Sequence, residues 1–340
     1  CAHMGGALTH ASADRYIKNE VSLGHSMLFL LVALPVCLTI VVLAAGYFVK
    51  GAVSIAHRLS VPEFIVGSVI VAVGTSAPEV AINVSAVLEG AGDIVVSNIV
   101  GSNIVNIGLG VGITGFILSF DRARPEYTRT ILIGLLGAVA LLANTILTSI
   151  NSPVSAMTLP FAIALLIAFA YFMYTSIRGA DGSEDEEFDA DLALPLAIVL
   201  VVGGAVAMAF FSDMAVQYAV ELSQRIGISE AVVGATVIAA GGSLPEVSSC
   251  IAAARIKRPN LILGNVAGSQ IFNILGILGL SGAIGSFTYS TILGIDVAVL
   301  VVMSLILMAC VRYTHLRRFI GPLLLGSYGV YAVYLVAISA

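Results

Sequence analysis

A hexapeptide that occurs twice constrains this chain more than any other feature. Gly74-Thr75-Ser76-Ala77-Pro78-Glu79 returns as Gly241-Gly242-Ser243-Leu244-Pro245-Glu246. A second run follows each copy, Gly101-Ser102-Asn103-Ile104-Val105-Asn106 and Gly268-Ser269-Gln270-Ile271-Phe272-Asn273. The offset is constant at 167 residues (246 − 79 and 273 − 106). Upstream, Arg58, Glu63 and Gly67 pair with Arg225, Glu230 and Gly234 at the same offset, so the match runs without a gap from 58 to 107. The chain holds two copies of one unit. Each copy places a carboxylate inside a long apolar segment, where an ionisable group is costly and reads as functional by default.

The rest of the sequence makes those segments membrane spans. Only 10% of residues are charged and 59% are hydrophobic, against roughly 25% charged in an ordinary soluble domain. Apolar stretches of about 20 residues recur along the chain, enough to cross about 30 Å of hydrocarbon as helix. The alternating short segments of a membrane barrel are absent. The expected fold is an all-α polytopic membrane protein. It has ten transmembrane helices, at 27–48, 63–88, 94–119, 129–149, 154–176, 193–213, 228–254, 260–284, 292–312 and 320–338.

These group as an N-terminal tail (1–26), a first five-helix repeat (27–178), an acidic linker (179–192) and a second five-helix repeat (193–340). The tail does not read as a signal peptide. The linker carries Asp181, Glu184, Asp185, Glu186, Glu187, Asp189 and Asp191. It reads as a solvated cytoplasmic loop, too short for a regulatory domain. Odd-numbered loops hold 12 Lys and Arg residues, against three in the even-numbered loops and the tail. That bias places the odd loops in the cytoplasm and both termini outside. Five helices per copy then force opposite orientations on the two halves, an inverted repeat of the kind that builds many secondary transporters. Cys1, Cys37, Cys250 and Cys310 are scattered without metal or disulfide spacing. No basic cluster suggests nucleic acid.

Within each motif, Pro78 and Pro245 interrupt a helix and remove a backbone hydrogen bond. Broken helices at membrane depth are tolerated around protein or a watery cavity. Carbonyls near Ala72, Thr75, Ala239 and Gly242, hydroxyls of Thr75, Ser76 and Ser243, and the carboxylates of Glu79 and Glu246 would face one centre. These are hard oxygen ligands, suited to Ca²⁺ or Na⁺. Two carboxylates balance one Ca²⁺. Left empty they would repel, so Na⁺ or H⁺ must replace Ca²⁺, which is the physical basis of obligatory exchange. Ser102 with Asn106, and Ser269 with Asn273, lie four residues apart on one helical face. They serve as ligands or as bonds between helices. Asn98 and Asn265 are expected to tie broken backbone, Asp213 and Asp296 to sit near helix ends, and Arg58 to anchor at the surface.

The two motif pairs resemble the α1 and α2 repeats of the cation/Ca²⁺ exchanger superfamily, in its prokaryotic Na⁺/Ca²⁺ exchanger branch. The resemblance implies a ten-helix fold with four cation sites at the midplane and alternating access by sliding of helices 1 and 6. It implies Ca²⁺ ligation by Glu79, Glu246 and the carbonyls of Thr75 and Gly242. Flanking Na⁺ sites would use Ala72, Ser76, Ala239, Ser243, Ser102 and Ser269, with Asn106 and Asn273 lining the centre. Two positions depart from the family: Gly242 stands where Thr is frequent, and Asn273 where Asp is frequent. The first loses a hydroxyl and the second a titratable group.

The expected function is Na⁺-driven Ca²⁺ export by a monomer in a prokaryotic cell membrane, without a cofactor. Ca²⁺/H⁺ antiport through the same two glutamates is the alternative. A cation channel would not need paired broken helices, and a hydrolase would need a base that the motif helices lack.

Overall fold

A computed structural model describes residues 25–59, 61–118, 120, 125–150, 152–178, 192–226 and 241–339. The acidic linker, Glu230, Gly234 and Ala239 lie outside the described residues. Twelve helices and two short strands follow in chain order among the described residues. They are α1 (Met27–Arg58), α2 (Phe64–Thr75), α3 (Ala77–Leu88), α4 (Gly92–Ile117), α5 (Pro125–Ser149), β1 (Val154–Met157) and α6 (Leu159–Arg178). Then come α7 (Leu194–Arg225), α8 (Leu244–Arg255), α9 (Pro259–Ile284), β2 (Phe287–Ser290), α10 (Leu293–Arg312), α11 (Thr314–Arg317) and α12 (Ile320–Ser339). Among the described residues eight helices are long and apolar enough to cross a membrane, or nine if the bent pair α2 and α3 forms one span.

The helices turn apolar side chains outward as well as inward. Leu28, Leu31, Leu43 and Tyr47 of α1, and Val199, Val202, Val206 and Phe210 of α7, are exposed. In water this would be an aggregation hazard; in lipid it is the solvated face. α4 and α9 are the inner helices. Their buried faces hold Val95, Ile99 and Ile104 in α4, and Ile262, Val266 and Ile271 in α9.

α1 and α7 lie antiparallel along each other. A Cβ at Gly51 would stand 2.7 Å from the Ala197 carbonyl, and one at Gly204 would stand 2.8 Å from Phe48 Cβ. Beyond those crossings, Leu30 and Cys37 pack with Ala215 and Tyr218. Both helices outrun their expected ends of 48 and 213. Hydropathy falls at Lys50 and Asp213, yet helix formation continues. In α7 the added turns are held by an i,i+4 pair from Arg225 to Glu221 at 2.6 Å. Asp213 is therefore inside a helix, exposed, and accepts from Gln217 Nε2 at 2.9 Å. Asp296 does lie in the first turn of its helix and accepts from Tyr331 at 3.0 Å.

The expected helix at 154–176 starts only at Leu159, because 154–157 is a strand. It pairs antiparallel with β2, Val154 opposite Ser290 and Met157 opposite Phe287. The pairing is anchored from below: Tyr289 Oη lies 2.9 Å from Thr145 Oγ1, and Asn144 Nδ2 donates to the Ala156 carbonyl at 3.0 Å. Asp93, in the first turn of α4, accepts from Ser290 N at 2.5 Å. This small sheet joins the loop after α5 to the loop after α9 within an otherwise all-helical fold.

Among the described residues three π-helical stretches interrupt α2, α4 and α9, at Gly67–Val71, Asn106–Val111 and Phe272–Ile277. Such stretches leave carbonyls without their usual partner and recur at functional sites. α2 crosses α9 with the two backbones in direct contact. A Cβ at Gly268 would stand 2.3 Å from the Ser68 carbonyl oxygen, so only glycine fits.

Candidate functional site

α2 runs into α3 through a 49° bend at Ser76, whose backbone leaves the helical region (φ −88, ψ 13). Ser243 has the matching geometry (φ −96, ψ 10) at the start of α8. Pro78 and Pro245 then occupy the first turn of the following helix, where a missing N–H costs nothing. The prolines thus start the second half-helix, and each glutamate sits in that first turn, at the end where helix N–H groups favour negative charge.

α3 contacts the π-helical stretch of α9, and α8 contacts the π-helical stretch of α4. This cross-over brings the two motif copies together. Ser76 Oγ donates to Glu246 Oε1 at 2.8 Å across 170 residues of chain. Thr75 stands beside Glu246, and Ser102 beside Glu79. The two carboxylates are near enough to interact electrostatically. Glu79 is 0% exposed and Glu246 1%. From the neighbouring helices, Asn273 Nδ2 donates to Asn103 Oδ1 at 3.4 Å.

Most of the polar atoms here have no protein partner. Both oxygens of Glu79, Oε2 of Glu246, Oγ of Ser243 and Ser269, both amide atoms of Asn106 and Oδ1 of Asn273 are buried without a hydrogen bond. Among the described residues neither glutamate has an ion-pair partner. A buried charge without a partner costs several kcal/mol, and buried polar atoms without a hydrogen bond are few in native proteins, so eight of them gathered from two repeats, three of them carboxylate oxygens, call for a partner. Apart from Asn106 Nδ2 these atoms are oxygens, two carboxylates among their groups, and there is no cluster of three or more His, Cys, Asp or Glu among the described residues. The set suits a hard cation of charge one or two.

The expected ligands do not all stand alike. Ala72's carbonyl accepts Ser76 N at 3.0 Å and Thr75 Oγ1 at 3.3 Å, so in this conformation it serves its own helix. The Thr75 hydroxyl also donates to the Val71 carbonyl at 2.9 Å. A Cβ at Gly242 meets no described atom within 4 Å. Asn265 Nδ2 reaches the Glu246 carbonyl at 3.4 Å and Cys250 Sγ at 3.5 Å, a backbone tie next to the site; Asn98 Nδ2 has no partner. Sequence reasoning missed two residues. Asn83, whose Nδ2 donates to the Glu79 carbonyl at 2.7 Å, was signalled by its spacing of four from Glu79. Asn103 was inside the second motif, but nothing local shows that it bonds to the other copy.

The family model for the sodium/calcium exchanger protein matches residues 29–178 and 196–337. An inner membrane protein of Escherichia coli strain K12 is 30% identical over 328 residues, 92% of this chain and 98% of that protein. A sodium/calcium exchanger of Methanosarcina acetivorans is 28% identical over 338 residues, 88% of this chain and 96% of that protein. Among solved structures, the sodium-calcium exchanger NCX_Mj soaked with Na⁺ and Sr²⁺ superposes with a TM-score of 0.76 at 27% identity, covering 90% of this chain and 98% of that one.

Proposed function

The chain belongs to the sodium/calcium exchanger protein family, a transporter and not an enzyme, and we propose that it exports Ca²⁺ in exchange for Na⁺ by alternating access. It is a multi-pass membrane protein. In this reading its helices form two inverted five-helix repeats, ten spans in all, with the site near the bilayer midplane. Both termini face outside a prokaryotic cell membrane, the protein works as a monomer, and it needs no cofactor beyond the transported ions.

The observation that carries the reading is the shared, partnerless oxygen cluster joined by the Ser76–Glu246 bond. Glu79 and Glu246 supply two negative charges, matched by one Ca²⁺ or by two monovalent ions. Ser76, Ser243, Ser102, Ser269, Asn106 and Asn273 supply neutral oxygens, and the carbonyls of Thr75, Gly242, Ala72 and Ala239 complete the set. An unloaded pair of buried carboxylates is unfavourable, so the protein crosses between its two open states only when a counter-ion is aboard. Protons on the two glutamates would neutralise the pair as well.

Proteoliposomes decide between the two counter-ions. Ca²⁺ uptake into vesicles loaded with Na⁺ and diluted into Na⁺-free medium is expected, with a pH gradient alone giving none. Uptake that follows only the pH gradient would overturn the Na⁺ reading in favour of Ca²⁺/H⁺ antiport.

A further inference from the structure

We propose that Arg58 and Arg225 are positioning residues that clamp α1 and α7 together at both ends, so that the two helices move as one rigid body during exchange. The proposal rests on the alternating-access reading for its purpose but not for its geometry. Both arginines close the last turn of a 32-residue helix, and they are repeat partners (225 − 58 = 167). Arg58 Nε donates to the Leu192 carbonyl at 2.5 Å. Arg225 donates to Glu221 Oε1 at 2.6 Å, and Glu221 Oε2 lies 2.9 Å from His25 Nδ1. Leu192 and His25 are themselves repeat partners (192 − 25 = 167). Each stands two residues before the first residue of its helix, Leu194 and Met27. A tie between the end of one long helix and the lead-in of the other is thus built twice, by Arg58 itself at one end and by Glu221, held by Arg225, at the other.

The two clasps differ in chemistry because the bridging position differs. Position 221 is Glu, long enough to span from Arg225 to an imidazole. Its repeat partner is Ser54, whose hydroxyl turns back to the Lys50 carbonyl at 2.9 Å. At that end Arg58 Nε itself makes the bond to the backbone of the other helix's lead-in. At the other end the imidazole is further fixed, stacked on Phe29 with centroids 4.5 Å apart and edge-on to Tyr218 at 5.5 Å. Glu221 is buried while its partners Arg225 and His25 reach the surface, so the carboxylate is held from both sides at the edge of the helix pair.

A clasp at each end is what a sliding pair requires. The close fit at Gly51 and Gly204 holds the helices together by van der Waals contact, and the bonds at the two ends add polar contacts that depend on register. Slippage of one helix by a single residue, about 1.5 Å, would strain the two bonds that join the helices, Arg58 to the Leu192 carbonyl and Glu221 to His25. The clasps fix the register and leave the pair free to shift against the other helices.

The test uses the full chain in proteoliposomes and in detergent, with Arg58→Gln, Arg225→Gln, the double variant and His25→Ala. Three quantities are read: the maximal rate of Na⁺-driven Ca²⁺ uptake, equilibrium Ca²⁺ binding, and the distance distribution between spin labels at exposed Val32 and Ile226. The double variant is expected to lose about tenfold in maximal rate, the scale set by one or two charged hydrogen bonds, with Ca²⁺ affinity within about twofold of wild type. Arg225→Gln and His25→Ala should both broaden the label distribution. An unchanged rate and an unbroadened distribution in the double variant would overturn the proposal. So would a rate loss matched by an equal loss of Ca²⁺ affinity, which would mean a distorted site. Should Arg225→Gln fail to fold, Arg225→Lys and His25→Ala carry the same readouts. A wild-type protein that binds no Ca²⁺ would defeat the antiport reading, whereas the label distances still report on the clamp.

Discussion

Replacing Glu246 by Gln isolates the charge of the candidate site with little change of shape. The carboxamide keeps an oxygen for Ser76 Oγ, which donates to Glu246 Oε1 at 2.8 Å in the native protein, and the side chain keeps its volume at a position only 1% exposed. What is lost is one of two negative charges. At about 4 Å and an effective dielectric constant of about 20, a unit charge contributes about 4 kcal/mol toward a monovalent cation and about 8 kcal/mol toward a divalent one. The substitution therefore shifts discrimination against the divalent ion by about 4 kcal/mol, about a thousandfold in relative affinity. The cation-free protein moves the other way. Removing a buried carboxylate that has no ion-pair partner among the described residues relieves repulsion with Glu79, so the variant should be no less stable than wild type in chelator. Ca²⁺ at about a hundred times its dissociation constant should stabilise wild type by about 2.7 kcal/mol and the variant by almost nothing. Thermal unfolding with and without Ca²⁺ reads the crossover, and vesicle uptake should show Na⁺-driven Ca²⁺ exchange abolished. A Glu246→Gln protein that is stabilised by Ca²⁺ like wild type, or that exchanges at the wild-type rate, would refute the assignment of this carboxylate to the site.

Gly268→Ala places a methyl group 2.3 Å from the Ser68 carbonyl oxygen; overpacking of this kind costs about 1–3 kcal/mol, seen as a lower unfolding temperature, while Gly203→Ala on the exposed face of α7 should be neutral or stabilising. Gly242→Thr enters space free of described atoms, so stability should change by under about 0.5 kcal/mol while the Na⁺ concentration for half-maximal uptake falls severalfold; an unchanged Na⁺ dependence would show that the hydroxyl has no role there. Asp93→Ala removes the acceptor for Ser290 N and should cost about 1.5–3 kcal/mol, with faster hydrogen exchange at the Ser290 amide as the local signature.

The helical spans were legible because lipid leaves few choices: a 20-residue apolar run can satisfy its backbone only as helix. Their ends were not. Hydropathy stops α7 at Asp213, but Glu221 and Arg225 pair along the helix and carry it 12 residues further (225 − 213). The strand at 154–157 was invisible for a related reason. Val-Ser-Ala-Met reads as an apolar lead-in to a helix, and only a partner strand that begins 133 residues later (287 − 154) makes it a strand. Pairing over that distance leaves no local trace.

The site shows the same division between what a residue is and whom it meets. Duplication singled out Glu79 and Glu246 because two matched carboxylates in apolar runs are costly and read as functional by default. Composition could not tell that Ser76 crosses to Glu246, nor that Asn103 bonds Asn273. Each of those bonds joins a residue of one copy to a residue of the other. A repeat read along the chain aligns equivalents, Ser76 with Ser243 and Asn103 with Gln270, whereas the fold makes contacts between non-equivalents. The useful rule for such chains follows from geometry. Two copies related by a twofold place position i of one copy against position j of the other, and j against i. The crossing bond seen once, Ser76 to Glu246, should therefore have a counterpart from Ser243 toward Glu79. Both of those side chains are buried and unbonded here. The two halves of the site are consequently unlike in this conformation: one oxygen of Glu246 is held by Ser76, and neither oxygen of Glu79 has a hydrogen bond.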